Sequence, residues 1–257
     1  MGSDIASDNT SFKTKKSKGR SGGVDIMMSQ GRYETEIFSR TFGIDREKML
    51  EAGLPRNDIL AHYTDEYRRV IRKKLGIPDD KNMILYCPTF REYTKGADMG
   101  VIMAPPMTLE KWEKHLKNHY VLFIRAHYEV SKVMSIVDNE FTRNATNYPD
   151  LNDLIIASDI LISDYSSIFF DYSITGKPML HFTYDYDEYA SKRGMYFDIR
   201  QYLSGAANED DLLKLIETLE GQTEVDKSVK FRDKFVDFYG GAVFGAINCI
   251  AERLGIQ

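Results

Sequence analysis

The sequence predicts an α/β protein built on a doubly wound parallel sheet. Short apolar runs of strand length alternate again and again with segments of helical spacing. One stretch, Asp159 to Phe182, spells out a strand, a polar elbow, a helix and a second strand, a βαβ unit whose crossover must be right-handed if its strands are parallel neighbours. Residues with anion-binding chemistry recur where predicted strands end, which is where such sheets take their ligands.

Residues 1–23 are rich in Ser, Gly, Lys and Asp. Lys13, Lys15, Lys16, Lys18 and Arg20 cluster there inside an otherwise acidic protein, and the segment reads as a flexible basic tail or linker suited to an anionic membrane surface or polymer. Residues 24–257 are the folded domain in this reading. Val24 to Ser29 is the first strand, and Tyr33 to Phe42 a helix that Gly43 stops. Lys48 to Gly53 is a second strand. It delivers Leu54-Pro55-Arg56-Asn57-Asp58, where proline and the Asn-Asp pair force a turn and leave Arg56 at a strand end. Tyr63 to Leu75 is a charged amphipathic helix closed by Gly76 and Pro78. Met83 to Phe90 is the most strand-like run and ends in Thr89, Phe90 and Arg91; from Glu92 to Met107 the periodicity is lost, as in a mobile loop.

Leu109 to His119 is a helix with Trp112 and Leu116 on one face. Tyr120 to Arg125 is a buried strand that hands over to Arg125-Ala126-His127, and Asn147 to Ser158 supplies a turn and a short helix. The βαβ unit follows: strand Ile160 to Ser163, elbow Asp164-Tyr165-Ser166-Ser167, a helix from Ile168, the stop Gly176-Lys177-Pro178, and strand Pro178 to Phe182. A loop dense in Tyr and Asp, Tyr184 to Tyr189, leads through Lys192, Arg193 and Gly194 to two helices, about Asp210 to Leu219 and Val229 to Leu254.

Composition excludes several classes. A net charge of −5 over 257 residues gives no global electrostatic case for nucleic acid. Cys87 and Cys249 stand far apart, which fits neither a disulfide framework nor a metal site and points to a reducing cytoplasm. His115 and His119 lie four apart but have no third ligand nearby. No run approaches the roughly 18 apolar residues of a membrane span. Neither GxGxxG nor GxxxxGK[ST] occurs, against the usual NAD and P-loop solutions.

The elbow carries the chemistry. The first backbone N–H groups of a helix lack intrahelical partners, and two adjacent serines add hydroxyls beside them, so phosphate or pyrophosphate fits there; the alternative is that Ser166 or Asp164 simply caps the helix. The strand-end rule gathers Arg56, Thr89, Arg91, Arg125, His127, Ser166 and Ser167 toward one edge of the sheet. Three or four charge-assisted hydrogen bonds of about 1.5–3 kcal/mol each offset an association cost of several kcal/mol and leave micromolar affinity for a nucleoside diphosphate ester.

Leu54-Pro55-Arg56-Asn57-Asp58, Cys87-Pro88-Thr89-Phe90-Arg91-Glu92, Arg125-Ala126-His127 and Ser163 to Tyr172 occur in the order in which the CDP-glycerol glycerophosphotransferase family, the teichoic acid primases and polymerases and related capsule enzymes, shows its motifs. The chain resembles that family from about Val24 to Tyr196. The resemblance implies the Rossmann-like half of a GT-B fold and transfer of glycerol phosphate, or a similar polyol phosphate, from CDP-glycerol or CDP-ribitol to a lipid-linked teichoic acid or capsule-like polymer. It implies Arg125 and His127 as catalytic residues, and Ser166, Ser167, Thr89, Arg91, Arg56 and Asp164 around the donor phosphates, with Asp164 and Asp171 serving as caps or anchors rather than bases. It implies no metal or other cofactor, and a cytoplasmic protein peripheral at the inner face of the bacterial cell membrane.

In the family an amino-terminal half with its own essential histidine contributes to acceptor binding. That half is expected to be missing here, so the chain reads as an isolated donor domain, excised or working with another polypeptide; the alternative is a non-catalytic module that only binds the CDP-polyol. One departure stands out. Tyr239 to Ala246 lies where the family commonly has Asp-Gly, a small residue and an Arg, and the acid and the arginine are absent.

Overall fold

Two βαβ blocks of unequal size make up residues 23–91 and 104–256, the part of the chain that the computed structural model describes. The basic tail and most of the loop expected over Glu92 to Met107 lie outside the described residues. In the small block β1 (Met27–Ser29), α1 (Arg32–Phe42) and β2 (Met49–Glu51) form a parallel pair with Ser29 opposite Glu51. A 3₁₀ turn, Pro55–Asn57, then leads into α2 (Asp58–His62) and α3 (Asp65–Lys74). Thr64 caps α3 by accepting the Tyr67 N–H.

The large block runs β3 (Asn82–Cys87), α4 (Leu109–Leu116), β4 (Tyr120–Ile124), α5 (Tyr128–Val133), β5 (Thr142–Asn144), α6 (Leu151–Ala157), β6 (Ile160–Ser163), α7 (Ile168–Ser173), β7 (Met179–Phe182), α8 (Tyr186–Arg193), β8 (Ser204–Ala206) and α9 (Glu209–Glu217). Helices α10 (Gly221–Phe235) and α11 (Ala242–Leu254) close the chain. The six strands are all parallel, in the order β5-β4-β3-β6-β7-β8. The chain winds outward from β3 to β5, returns to lay β6 beside β3, and winds outward the other way, so the switch point lies between β3 and β6.

Burial on both faces explains why β3 reads as an unbroken apolar run. Met83, Leu85 and Cys87 enter a core with α6, α7 and α10, while Ile84 and Tyr86 enter a second core with α4 and α9. One half-buried cation closes the first face. Lys177 Nζ donates to the carbonyls of Ile155, Ile156 and Ser158 at 2.7, 3.0 and 2.7 Å, closing the carboxyl end of α6.

The fold departs from the expectations at six places. The first two strands pair with each other and stay out of the six-stranded sheet. Strands β5 and β8 and helix α5 were not anticipated, α8 occupies the Tyr-Asp-rich loop, and the expected helix from Val229 to Leu254 is two helices separated by a turn in which Gly240 has φ +78°. That turn returns the chain to the small block. Asp237 and Phe238 donate to the Gln30 carbonyl, and the Asp58 carboxylate accepts the Ala242 and Val243 N–H groups at the start of α11. Tyr33, Phe170, Phe197 and Phe235 pack ring against ring and fasten α1 to α7 and α10. Val243, Phe244, Ile247, Ile250 and Leu254 remain exposed along α11.

Candidate functional site

Strands β4, β3 and β6 end side by side, with Tyr86 opposite Ile124 and Cys87 opposite Ser163. The residues that leave them therefore converge. Pro88, Thr89 and Phe90 after β3, Arg125 to Tyr128 after β4, Thr146 and Asn147 after β5, and Ser166 to Ile168 after β6 surround a cleft of about 590 Å³. Thr89, Arg125, His127, Ser166 and Ser167, five of the residues proposed from sequence, line it together.

The elbow is an open anion cradle with one of its two serines spent on capping. Ser166 Oγ accepts the Ile168 N–H at 3.3 Å. Among the described residues, the backbone N–H groups of Ser166 and Ser167 and the Ser167 hydroxyl have no partner. With only six residues, α7 contributes little macrodipole, so the cradle's capacity for an anion rests on these local donors.

Opposite the elbow, Arg125 Nη1 donates to the carbonyls of Ala145 and Tyr148 at 3.2 and 2.6 Å, which ties the end of β4 to the loop after β5. Its Nε and Nη2 have no partner among the described residues. His127 is exposed at the amino end of α5, stacked on Phe90 with ring centroids 4.4 Å apart. Its Nδ1 accepts the Glu129 N–H at 3.4 Å, an arrangement that leaves the proton of a neutral ring on Nε2, available as a donor.

Arg91 and Asp164, expected around the phosphates, do not line the cleft. Arg91 is only 2% exposed: Nε reaches Asp185 at 2.7 Å, Nη1 the Thr89 carbonyl at 2.7 Å and Nη2 Asp164 at 2.8 Å, with the rings of Tyr165, Tyr184 and Tyr189 around the guanidinium. Two buried carboxylates require a buried cation, and Arg91 is it. The Asp164 carboxylate is fully occupied by the Thr89 N–H and hydroxyl, the Tyr165 N–H and Arg91. It therefore acts as the anchor that pins the end of β3 to the β6 elbow, and Thr89 spends its hydroxyl on that anchor. Arg56 lies just outside the lining, paired with Asp171, which does line the cleft. Burial raises the Asp171 pKa, against the opposing pull of Arg56 and Asn57.

Sequence reasoning missed Thr146, Asn147 and Arg193 as cleft residues. Thr146 and Asn147 follow a strand that carried no strand-like signal, and Arg193 comes from a helix within an expected loop. Among the described residues no group of three His, Cys, Asp or Glu could hold a metal ion.

The family model for CDP-Glycerol:Poly(glycerophosphate) glycerophosphotransferase matches residues 1–246. The chain is 34% identical over 226 residues to the teichoic acid poly(glycerol phosphate) polymerase of Staphylococcus epidermidis, covering 84% of this chain and 31% of that protein. It is 33% identical over 225 residues to the teichoic acid glycerol-phosphate transferase of Staphylococcus aureus, covering 84% of this chain and 57% of that protein. The solved structure of the wall teichoic acid polymerase TagF superposes with a TM-score of 0.77 at 33% identity, over 91% of this chain and 59% of that one; a variant soaked with CDPG gives 0.76. The doubly wound sheet, expected as the Rossmann-like half of a GT-B fold, is thus shared with that polymerase. The chain spans from under a third to about three-fifths of the length of these relatives.

Proposed function

The chain belongs to the CDP-glycerol:poly(glycerophosphate) glycerophosphotransferase family, and from that premise we propose that its cleft holds a CDP-activated polyol, CDP-glycerol or CDP-ribitol, for transfer of the polyol phosphate to a teichoic acid or capsule-like polymer. One observation supports this above the rest: the unpartnered Ser166 and Ser167 amides share a single cleft with Arg125 and His127. In the reaction an acceptor hydroxyl attacks the β-phosphorus, the bond to the bridging oxygen breaks, and CMP leaves. Negative charge grows on the phosphoryl oxygens, where fixed donors are worth most. The elbow amides and the Ser167 hydroxyl hold the diphosphate, Arg125 supplies the charge, and the His127 Nε2–H donates to an oxygen of the phosphoryl group.

Among the described residues no cleft carboxylate is free to deprotonate the acceptor, since Asp171 is tied to Arg56 and Asn57. That base comes, in our reading, from a second α/β unit seated against the small block. Parallel strands are ordinarily covered on both faces and rarely stand as a pair, and the apolar stripe of α11 lies uncovered beside one. Among the described residues no helix is long and apolar enough to cross a membrane. A lipid-linked acceptor would bring the protein to the inner face of the bacterial cell membrane as a peripheral, cytoplasmic partner.

Titration with CDP-glycerol, CDP-ribitol and CMP, followed by an assay of CMP release on a lipid-linked primer, tests the reading. Binding without release leaves the chain a donor-holding module; absence of binding removes the donor site altogether. Ser167→Ala and His127→Ala are each expected to weaken CDP-glycerol binding by about tenfold with the melting temperature unchanged. Ser166→Ala weakens binding too, and also loses its cap, about 0.5–2 kcal/mol of stability. Parental affinity in all three variants would show that the ligand sits elsewhere.

A further inference from the structure

Arg56 reaches the cleft wall from outside the six-stranded sheet. Its turn follows β2, and its backbone carbonyl is taken by the Asn152 side chain, next to the cleft residue Leu151. The Arg56 side chain is 55% exposed and approaches Asp171 through Nη2 alone, 3.2 Å from each carboxylate oxygen. Among the described residues its Nε and Nη1 have no partner. The carboxylate it meets is held from the small block: Asn57 Nδ2 donates to Asp171 Oδ1 at 2.6 Å and to Gln30 Oε1 at 3.1 Å, and the Gln30 N–H donates to Glu34 at 2.7 Å.

An uncompensated carboxylate in this wall would repel a diphosphate. A guanidinium tethered by one nitrogen cancels that charge and keeps its Nε–H and Nη1–H donors for phosphate oxygens. The geometry points to Asp171 and Asn57 as positioning residues that aim Arg56 at the diphosphate of the bound nucleotide, an assignment that rests on the donor-site reading above. Asp171 thereby acts through Arg56 and not on the ligand itself.

Calorimetric titration of the chain with CDP and with cytidine separates this role from a merely structural one. Arg56→Ala is expected to weaken CDP binding by about tenfold and to leave cytidine unaffected. Asp171→Ala does the same, and adding it to Arg56→Ala produces no further loss. Asp171→Asn, which keeps an acceptor for Nη2 and for Asn57, recovers most of the affinity. Asn57→Ala run through the same cycle gives the same pattern and carries the test if Asp171→Ala does not fold. Equal weakening of cytidine, or losses that add in the double variant, would overturn the assignment. Parental CDP affinity in Arg56→Ala refutes it while leaving the donor site standing; a parent chain that binds no CDP refutes both.

Discussion

Arg91→Met is expected to lower the free energy of unfolding by about 3–5 kcal/mol, because it strands two carboxylates in the interior. The guanidinium is the charge partner of both Asp164 and Asp185, which are themselves nearly inaccessible, and it also fills the Thr89 carbonyl. Arg91→Lys should fare little better, since one ammonium cannot span two carboxylates and a carbonyl in the directions the planar fork does. Urea unfolding of the two variants beside the parent makes the comparison. A loss below about 1 kcal/mol for Arg91→Met, the size of an exposed pair, would mean that water reaches these carboxylates and that Arg91 is no pillar. CDP affinity should fall with stability, because Asp164 freed of Arg91 no longer holds Thr89 and Tyr165 at fixed positions.

Lys177→Met comes next in size. It leaves the Ser158 carbonyl without a donor, while the Ile155 and Ile156 carbonyls keep the Ser158 hydroxyl and the Arg68 Nε–H, a loss of about 1–3 kcal/mol for the unsatisfied group. Burial pushes the Lys177 pKa down, to about 7, with the positive charge of Arg68 acting in the same direction. The unfolded chain, where the amine titrates near 10.5, therefore binds more protons than the folded one between about pH 7 and pH 10. Stability contributed by this group rises with pH across that window. The parent's advantage over Lys177→Met should widen as pH is raised from 7 toward 10; an advantage that shrinks would show an ammonium stabilised by its carbonyls above the solution value.

The central strands were legible because burial on both faces leaves a mark in the sequence: β3, β4, β6 and β7 are mostly apolar, broken only at their ends and by His181 in β7. The edge strands leave none. β5 is Thr142-Arg143-Asn144 and β8 is Ser204-Gly205-Ala206, without the β-branched density of a central strand. Gly205 is set by a close approach instead, since a Cβ there would overlap the His181 carbonyl oxygen. That β1 and β2 pair only with each other is a tertiary fact that local patterning cannot carry. In the site, strand ends sufficed to bring Thr89, Arg125, His127, Ser166 and Ser167 together. They could not distinguish Arg91, which has the residue type and position of a phosphate ligand, because its carboxylate partners lie 73 and 94 residues further along.

Within four residues, the elbow holds two kinds of amide. The Tyr165 N–H, like that of Thr89, is locked onto a carboxylate that water does not reach, and its deuterium uptake must wait for a large opening of the domain. The Ser166 and Ser167 N–H groups have no acceptor among the described residues, so they trade protons with solvent freely until the oxygens of an occupant claim them. The same turn thus contains a slow clock and a fast one, and only the fast one is sensitive to whether the cradle is filled.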